Sequence, residues 1–415
     1  MKLISDDILK DIMDDLKRID PKLVIDSLTD TVAREALKKV MKNDLPKRHN
    51  IILDTEEKFD YALSEMVGLG VVEKIIKDPD VTDISYNGTE LVVNTNNAKY
   101  VYGENISEDY IIKLIQKFAS AVGKEFTPKN PILDAALNNL RINAVHNSLS
   151  PFGTTMALRS SKAESVLNEE NFKEFAPEYI LEFFRSATQA RSNYIIAGET
   201  GTGKTELQKF LVKDIPFNEK IINMEDTLDS YLKVLYPDKD IHSWITSPAF
   251  GFTNLIKAGL RNNPVWMLVS ETRGEEAYEM LQAVLSGHRI ITTLHAVDAR
   301  AIPKRFINMM KIGYSIDEES VLSDIYNYFQ FGIHIEKYEH EGKVIRYLSE
   351  IVEFRPDNKA VTVFKQVKTG QQLVPVIGEV SDEFINTLKK YNCKIPDFLQ
   401  RKENIEYGQK EKIHT

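Results

Sequence analysis

Residues 198–205 read Gly198-Glu199-Thr200-Gly201-Thr202-Gly203-Lys204-Thr205, a G-x-x-x-x-G-K-[ST] spacing. An apolar run, Tyr194–Ala197, feeds into it, and a helix-forming stretch beginning TELQKFLV leaves it. The chemistry this pattern suits is the binding of a polyphosphate. Glycines let the backbone curl round an anion with no Cβ in the way. Successive N–H groups then point inward, and a helix starting near Lys204 adds the positive end of its dipole. Lys204 suits the outer phosphates, and the Thr205 hydroxyl suits a Mg2+ ion.

A bound polyphosphate also needs a metal partner and a group that orients or deprotonates water. Two later apolar runs end in acids. Lys220–Met224 runs into Glu225-Asp226-Thr227-Leu228-Asp229, and Val265–Ser270 into Glu271-Thr272-Arg273. A third, Ile290–Leu294, ends at His295, one strand length past His288. In a parallel α/β sheet, ligands lie outside the carboxyl ends of the strands. Glu225, Asp229, Glu271 and His295 are therefore expected to converge with Lys204 on one edge. Taken singly, each acid serves as well as a strand-end cap, and an isolated histidine as a satisfied structural group. Their succession after the glycine loop is what points to a site.

The elements that must position these residues follow from periodicity. From Pro177 onward, short apolar runs alternate with longer helical ones, which indicates a largely parallel sheet. Phe331–Tyr338, Val344–Phe354 and Ala360–Val367 read instead as period-2 strands with turns at Glu341-Gly342 and Asp357-Asn358, an antiparallel meander appended to that sheet. Upstream lies an α+β pattern. It comprises helices at Val71–Ile76 and Asp109–Val122, with strands at Thr82–Tyr86, Leu91–Val93, Leu140–Val145 and Thr154–Arg159. Near the start, Ile8, Leu9, Ile12, Met13 and Leu16 form one apolar helical stripe. The expected organisation is a helical extension over 1–50, an α+β domain over 51–162, a polar linker over 163–176, an α/β domain over 177–400 and a polar tail over 401–415.

In order, GETGTGKT, MEDTLD, LVSETRGEEAYEML and SGHRIITTLHA resemble the Walker A, Asp box, Walker B and His box of the type II/type IV secretion ATPases. DPDVTDISYNG and PILDAALNNLRINAV resemble that family's N-terminal domain, so the likeness spans roughly Gly68 to Val367. It implies an α/β fold: a RecA-like P-loop ATPase domain with a smaller α+β N-terminal domain and an N-terminal helical extension. It implies ATP and Mg2+ as ligands, with Lys204 on the phosphates and Thr205 and Glu271 toward the metal. Glu225 opens the Asp box, Asp229 is its last acid and a candidate for activating water, and His295 is the His-box histidine. Arg141 and Arg159 match arginines that approach the nucleotide from the N-terminal domain. The chain departs from the family pattern at Asp229 for Glu, Ser270 for Gly and Glu206 for Thr. Its His288–His295 interval is one residue short and lacks the usual Gly.

The resemblance further implies a homo-hexameric motor, cytoplasmic and peripheral at the inner face of the membrane. Its partners would be membrane platform or channel proteins of a secretion, conjugation or pilus system, driven by domain motion about the linker. Two alternatives stand beside it: a nucleotide-gated assembly protein with little turnover, motivated by the departures, and a nucleic-acid motor. Composition argues against the last. Asp and Glu number 62 against 53 Lys and Arg, a net charge of −9, and no basic stretch is interleaved with aromatics. Direct nucleic-acid binding is not expected. With 415 residues, 42% of them hydrophobic, the chain can bury more than one core without staples. One cysteine, Cys393, excludes an intrachain disulfide and fits a reducing compartment. Acids interrupt the first twenty residues, so no signal-peptide core is expected there, and no apolar run is long enough to span a bilayer.

Overall fold

A computed structural model describes residues 3–27, 31–96, 98–137, 139–161, 163–341, 343–370 and 372–400. The tail expected over 401–415, Lys162 at the expected domain edge and Gly342 of the expected turn lie outside the described residues. The chain divides into two compact units, Met1–Ser161 and Lys162–Thr415.

The first unit has two cores. Helices Asp6–Ile19, Thr31–Asn43 and Glu56–Val67 pack Ile12, Leu16, Leu37, Met41, Ala62 and Leu63 against one another. The apolar stripe of the first helix is thus used inside this layer. The second core lies against a six-stranded sheet of β1 (Val81–Tyr86), β2 (Leu91–Thr95), β3 (Lys99–Val101), β4 (Ile132–Leu137), β5 (Leu140–Val145) and β6 (Thr155–Ser160). The strand order is β3-β2-β1-β6-β5-β4, antiparallel throughout. The helix Glu108–Ala121, capped by the Ser107 hydroxyl, buries Ile111, Leu114, Ile115 and Phe118 there. Asn87 builds the β1–β2 turn by accepting the Thr89 and Glu90 N–H groups on its side-chain oxygen. β3 and β4 carried no strand signal. The first is three exposed residues, and the second fully buries Leu133 alone, so neither shows a clean alternation.

The second unit is built on β7 (Tyr194–Gly198), β8 (Ile221–Glu225), β9 (Ile241–Ile245), β10 (Trp266–Val269), β11 (Arg289–Leu294), β12 (Phe331–His340), β13 (Lys343–Arg355), β14 (Lys359–Thr369) and β15 (Gln372–Ile377). Their order is β15-β14-β13-β12-β7-β11-β10-β8-β9. Pairings from β12 across to β9 are parallel, and those from β12 to β15 antiparallel. Every residue of β7, β8 and β10 is buried, as strands covered on both faces require. One face packs on Phe172, Phe183, Phe184 and Phe210, the other on Met280, Phe306 and Met310. The expected meander forms, and Asp357 and Asn358 both take positive φ between β13 and β14, as a tight hairpin turn demands. β9 and β15 were not foreseen. Both are edge strands, and β9 fully buries only Ile241.

The stretch expected as a linker over 163–176 differs from a free connector. Phe172 and Phe175, in a short helix, are buried in the second unit's core. The Val166 N–H donates to Glu206 Oε2 at 2.8 Å, and Lys209 Nζ donates to the Glu164 carbonyl at 2.9 Å. The acid at 206, where the family pattern has threonine, is an anchor for this stretch.

Candidate functional site

The four sequence motifs stand at the carboxyl ends of four adjacent parallel strands, in the order β7, β11, β10, β8. β7 ends at Gly198, and the helix Lys204–Val212 starts after Gly203, whose φ is +96°. A Cβ at Gly198 would lie 2.5 Å from the Ile335 carbonyl oxygen on β12 and 2.7 Å from Thr202 Oγ1, so the loop leaves the sheet there only as glycine. Within the loop, the Thr202 hydroxyl donates to the Glu199 carbonyl at 2.9 Å. Gln208 fastens the following helix to the sheet, donating from Nε2 to the Val269 and Ile291 carbonyls at 3.2 and 3.0 Å.

Lys204 folds back over the loop. Its Nζ donates to the Gly198 and Glu199 carbonyls, each at 2.9 Å. Burial pulls its pKa down to about 8. Glu271 opposes that shift, and the nearby cations Arg273 and Lys337 add to it. A buried ammonium held mainly by neutral carbonyls is short of negative charge, and an anion in the loop would supply it.

A continuous polar chain crosses the strand ends. His295 Nδ1 lies 3.0 Å from the Gly198 carbonyl oxygen, and Nε2 lies 3.1 Å from Glu271 Oε1. Glu271 Oε2 accepts from Arg273 Nη2 at 2.8 Å, and Arg273 Nη1 donates to Asp226 Oδ2 at 2.9 Å. Burial pushes the Glu271 carboxyl up, but Arg273, His295 and Lys204 outweigh it and hold the group below its ordinary value. His295 therefore reaches the loop despite the shortened interval before it.

Glu225 stands at the end of β8. It is buried, and its carboxylate turns into the loop that follows β8. Oε1 accepts from the Asp229 and Ser230 N–H groups at 3.1 and 2.8 Å, and Oε2 from Asn223 Nδ2 at 2.8 Å. That is a brace for the Asp-box loop. Asp229, on the same loop, is partly exposed. Arg141 and Arg159 belong to the first unit, where they face each other directly across β5 and β6. Arg159 Nε donates to Asp83 Oδ1 at 2.9 Å, and Arg141 Nε lies 4.0 Å from Asp134 Oδ1.

Oxygen donors suited to a hard divalent cation are present. They are the Thr205 hydroxyl at the start of the loop helix and the Glu271 carboxylate. Ser270, immediately before Glu271, has a buried hydroxyl with no hydrogen-bond partner among the described residues. These residues fit Mg2+.

The type II/IV secretion system protein family matches residues 127–326. An uncharacterized protein of Bacillus anthracis is 47% identical over 397 residues, which cover 92% of this chain and 89% of that one. The type IV secretion system protein VirB11 of Brucella suis is 26% identical over 348 residues, 74% of this chain and 95% of VirB11. The chain belongs to the type II/type IV secretion ATPase family. Among solved structures, the Yersinia pseudotuberculosis ATPase DotB aligns with a TM-score of 0.53 at 15% identity, covering 69% of this chain and 79% of DotB. The pilus retraction motor PilT with bound ADP aligns with a TM-score of 0.50 at 18% identity, covering 81% and 88%. The fold is thus that of a RecA-like ATPase with an N-terminal domain, and ATP hydrolysis is the general chemistry of the family. Among the described residues, no helix is long and apolar enough to cross a membrane.

Sequence reasoning does not single out Asp226 and Arg273 as partners in the site, although Asp226 adjoins Glu225 and Arg273 lies two residues after Glu271. It had no signal for Lys337 and Arg346, which lie on the meander and donate to the loop.

Proposed function

We propose that this chain is a Mg2+-dependent ATP hydrolase that works as a ring-forming motor of a secretion, conjugation or pilus-assembly machine. The observation that carries the proposal is the chain of contacts from Gly198 through His295 to Glu271. It couples the phosphate loop to the Walker B acid, so that a change in one is felt by the other.

The reaction is ATP + water → ADP + phosphate. The loop 198–205 binds the phosphates with its N–H groups and Lys204. Thr205 and Glu271 are the residues that hold the metal, which when bound neutralises charge on the terminal phosphates. Asp229 is the acid we assign to the attacking water, with Glu225 holding its loop in place. Arg141 and Arg159 enter on the resemblance alone, as cations that stabilise charge spreading over the phosphoryl oxygens. The homo-hexamer, the membrane platform or channel partner and the peripheral cytoplasmic location also rest on the resemblance. The relatives support that class of machine: VirB11 is named for type IV secretion and PilT as a pilus retraction motor.

The test is steady-state phosphate release with Mg2+-ATP, beside Glu271→Gln, with particle mass measured on the same samples. Ring-dependent release lost in the variant supports the motor. The pairing of Glu271 with Arg273 favours a second reading, a nucleotide-gated assembly protein with little turnover, because the arginine competes for the acid. A nucleotide-dependent ring without release would establish that reading instead.

A further inference from the structure

The phosphate loop is held from outside by two cations on a different part of the sheet. β12 runs parallel to β7 and is paired with it up to Ile335 opposite Gly198. Two residues further on, Lys337 overhangs the loop, and its Nζ donates to the Thr200 carbonyl at 2.7 Å. Directly across the β12–β13 hairpin from Lys337 stands Arg346. Its Nε donates to the next carbonyl, that of Gly201, at 2.8 Å. Like charges directly opposite each other weaken a strand pair. The two adjacent loop carbonyls give the pairing a reason.

The consequence follows from peptide geometry. In a trans peptide, the C=O and the following N–H point in opposite directions. A cation gripping the Thr200 carbonyl therefore fixes the direction of the Gly201 N–H, and one gripping the Gly201 carbonyl fixes that of the Thr202 N–H. These are N–H groups of the loop that is to wrap the phosphates. Gly201 sits at φ +76°, where the backbone has few preferences of its own, so an outside hold is what selects one orientation. Hydrogen bonding at a carbonyl also polarises its peptide and strengthens the N–H as a donor. The pair adds positive charge to a site that already holds Lys204 and Arg273.

We propose that Lys337 and Arg346 are positioning residues for nucleotide binding, a cross-strand cation pair that presets the phosphate loop by gripping its Thr200 and Gly201 carbonyls. This rests on the reading of the loop as an ATP site. It assigns the meander a part in the site that the four motifs do not include.

The experiment uses the full chain. Equilibrium binding of a fluorescent ADP analogue and steady-state phosphate release are measured for Lys337→Met, Arg346→Gln, Lys337→Arg and Arg346→Lys, with Lys204→Ala alongside. Each neutral variant is expected to weaken ADP binding roughly tenfold and raise KM by a similar factor, with kcat within about twofold. The charge-conserving variants recover most of the affinity, which a merely structural role would not predict. Unchanged ADP affinity in Lys337→Met and Arg346→Gln, with binding weakened in Lys204→Ala, overturns this proposal and leaves the ATP site standing. A fall in kcat at unchanged KM also overturns it, since the pair would then act on the reaction. Full ADP binding by Lys204→Ala would instead sink the ATP-site reading itself. Should Arg346→Gln fail to fold, the exposed Lys337 series decides alone, and without turnover the binding measurement does.

Discussion

Nε2 of His295 stands 3.1 Å from Oε1 of Glu271, while Nδ1 of the same ring faces the Gly198 carbonyl oxygen at 3.0 Å. The ring thus ties the phosphate loop on β7 to the acid at the end of β10 through a single side chain.

Removing that tie is expected to disturb the reaction more than the binding. His295→Ala should lower kcat roughly 100-fold, the lower end of what a positioned acid–base group contributes, while ATP affinity stays within about threefold. Phosphate release and equilibrium nucleotide binding separate the two effects. An unaltered kcat would remove His295 from the chemistry.

Lys204 makes the complementary case. With its ammonium buried and held by two carbonyls, its main use is toward an anion. Lys204→Ala should weaken Mg2+-ATP binding by roughly 10- to 100-fold, the loss of one or two charge-assisted hydrogen bonds, with little change in thermal unfolding. Calorimetric titration checks it, and retained affinity would refute the assignment of the loop.

Glu225 and Asp229 share one loop but should fail in different ways. Glu225→Ala strips the Asn223 amide and the Asp229 and Ser230 N–H groups of their buried acceptor, and is expected to cost about 1–3 kcal/mol of stability. Asp229→Asn should leave the melting temperature unchanged and lower turnover roughly 100-fold. Thermal unfolding beside phosphate release tells them apart. A stable, slow Glu225→Ala protein would return Glu225 to the chemistry.

The sequence showed the parts of this site whose physics is local. A glycine loop between a buried strand and a helix is local in sequence, and acids or a histidine at strand ends are placed by the parallel topology itself. Glu271 and His295 were legible for that reason. Which way Glu225 turns was not, because its partners are backbone groups four and five residues later whose positions only the folded loop defines. Lys337 and Arg346 were out of reach altogether. They meet the loop because β12 inserts beside β7, a neighbour relation between segments more than a hundred residues apart. Among the strands, the buried ones are legible and the edges β3, β4, β9 and β15 are not, since an exposed edge carries no continuous apolar signal.

The N-terminal helices offer a prediction about acid. Asp15 is nearly buried, with Oδ2 at 2.8 Å from His49 Nε2 and 2.6 Å from Arg48 Nη2, and Oδ1 at 3.2 Å from Arg18 Nη1. The hydrogen bond from His49 is the largest influence, and with the two arginines it outweighs burial and holds the Asp15 carboxyl below 3.8. A carboxyl depressed on folding contributes stability above its unfolded value, and that contribution is lost as pH falls through the lower folded value. The helix Asp6–Ile19 should therefore be better protected in the wild type than in Asp15→Asn at neutral pH. The difference should close as pH drops below about 3.8. Amide exchange in that helix, corrected for the intrinsic effect of pH, measures it, with β7 and β8 as an internal reference that the substitution should not move. Equal protection of the two proteins at pH 7, or a difference that persists unchanged into acid, would show that Asp15 is not the group holding this layer.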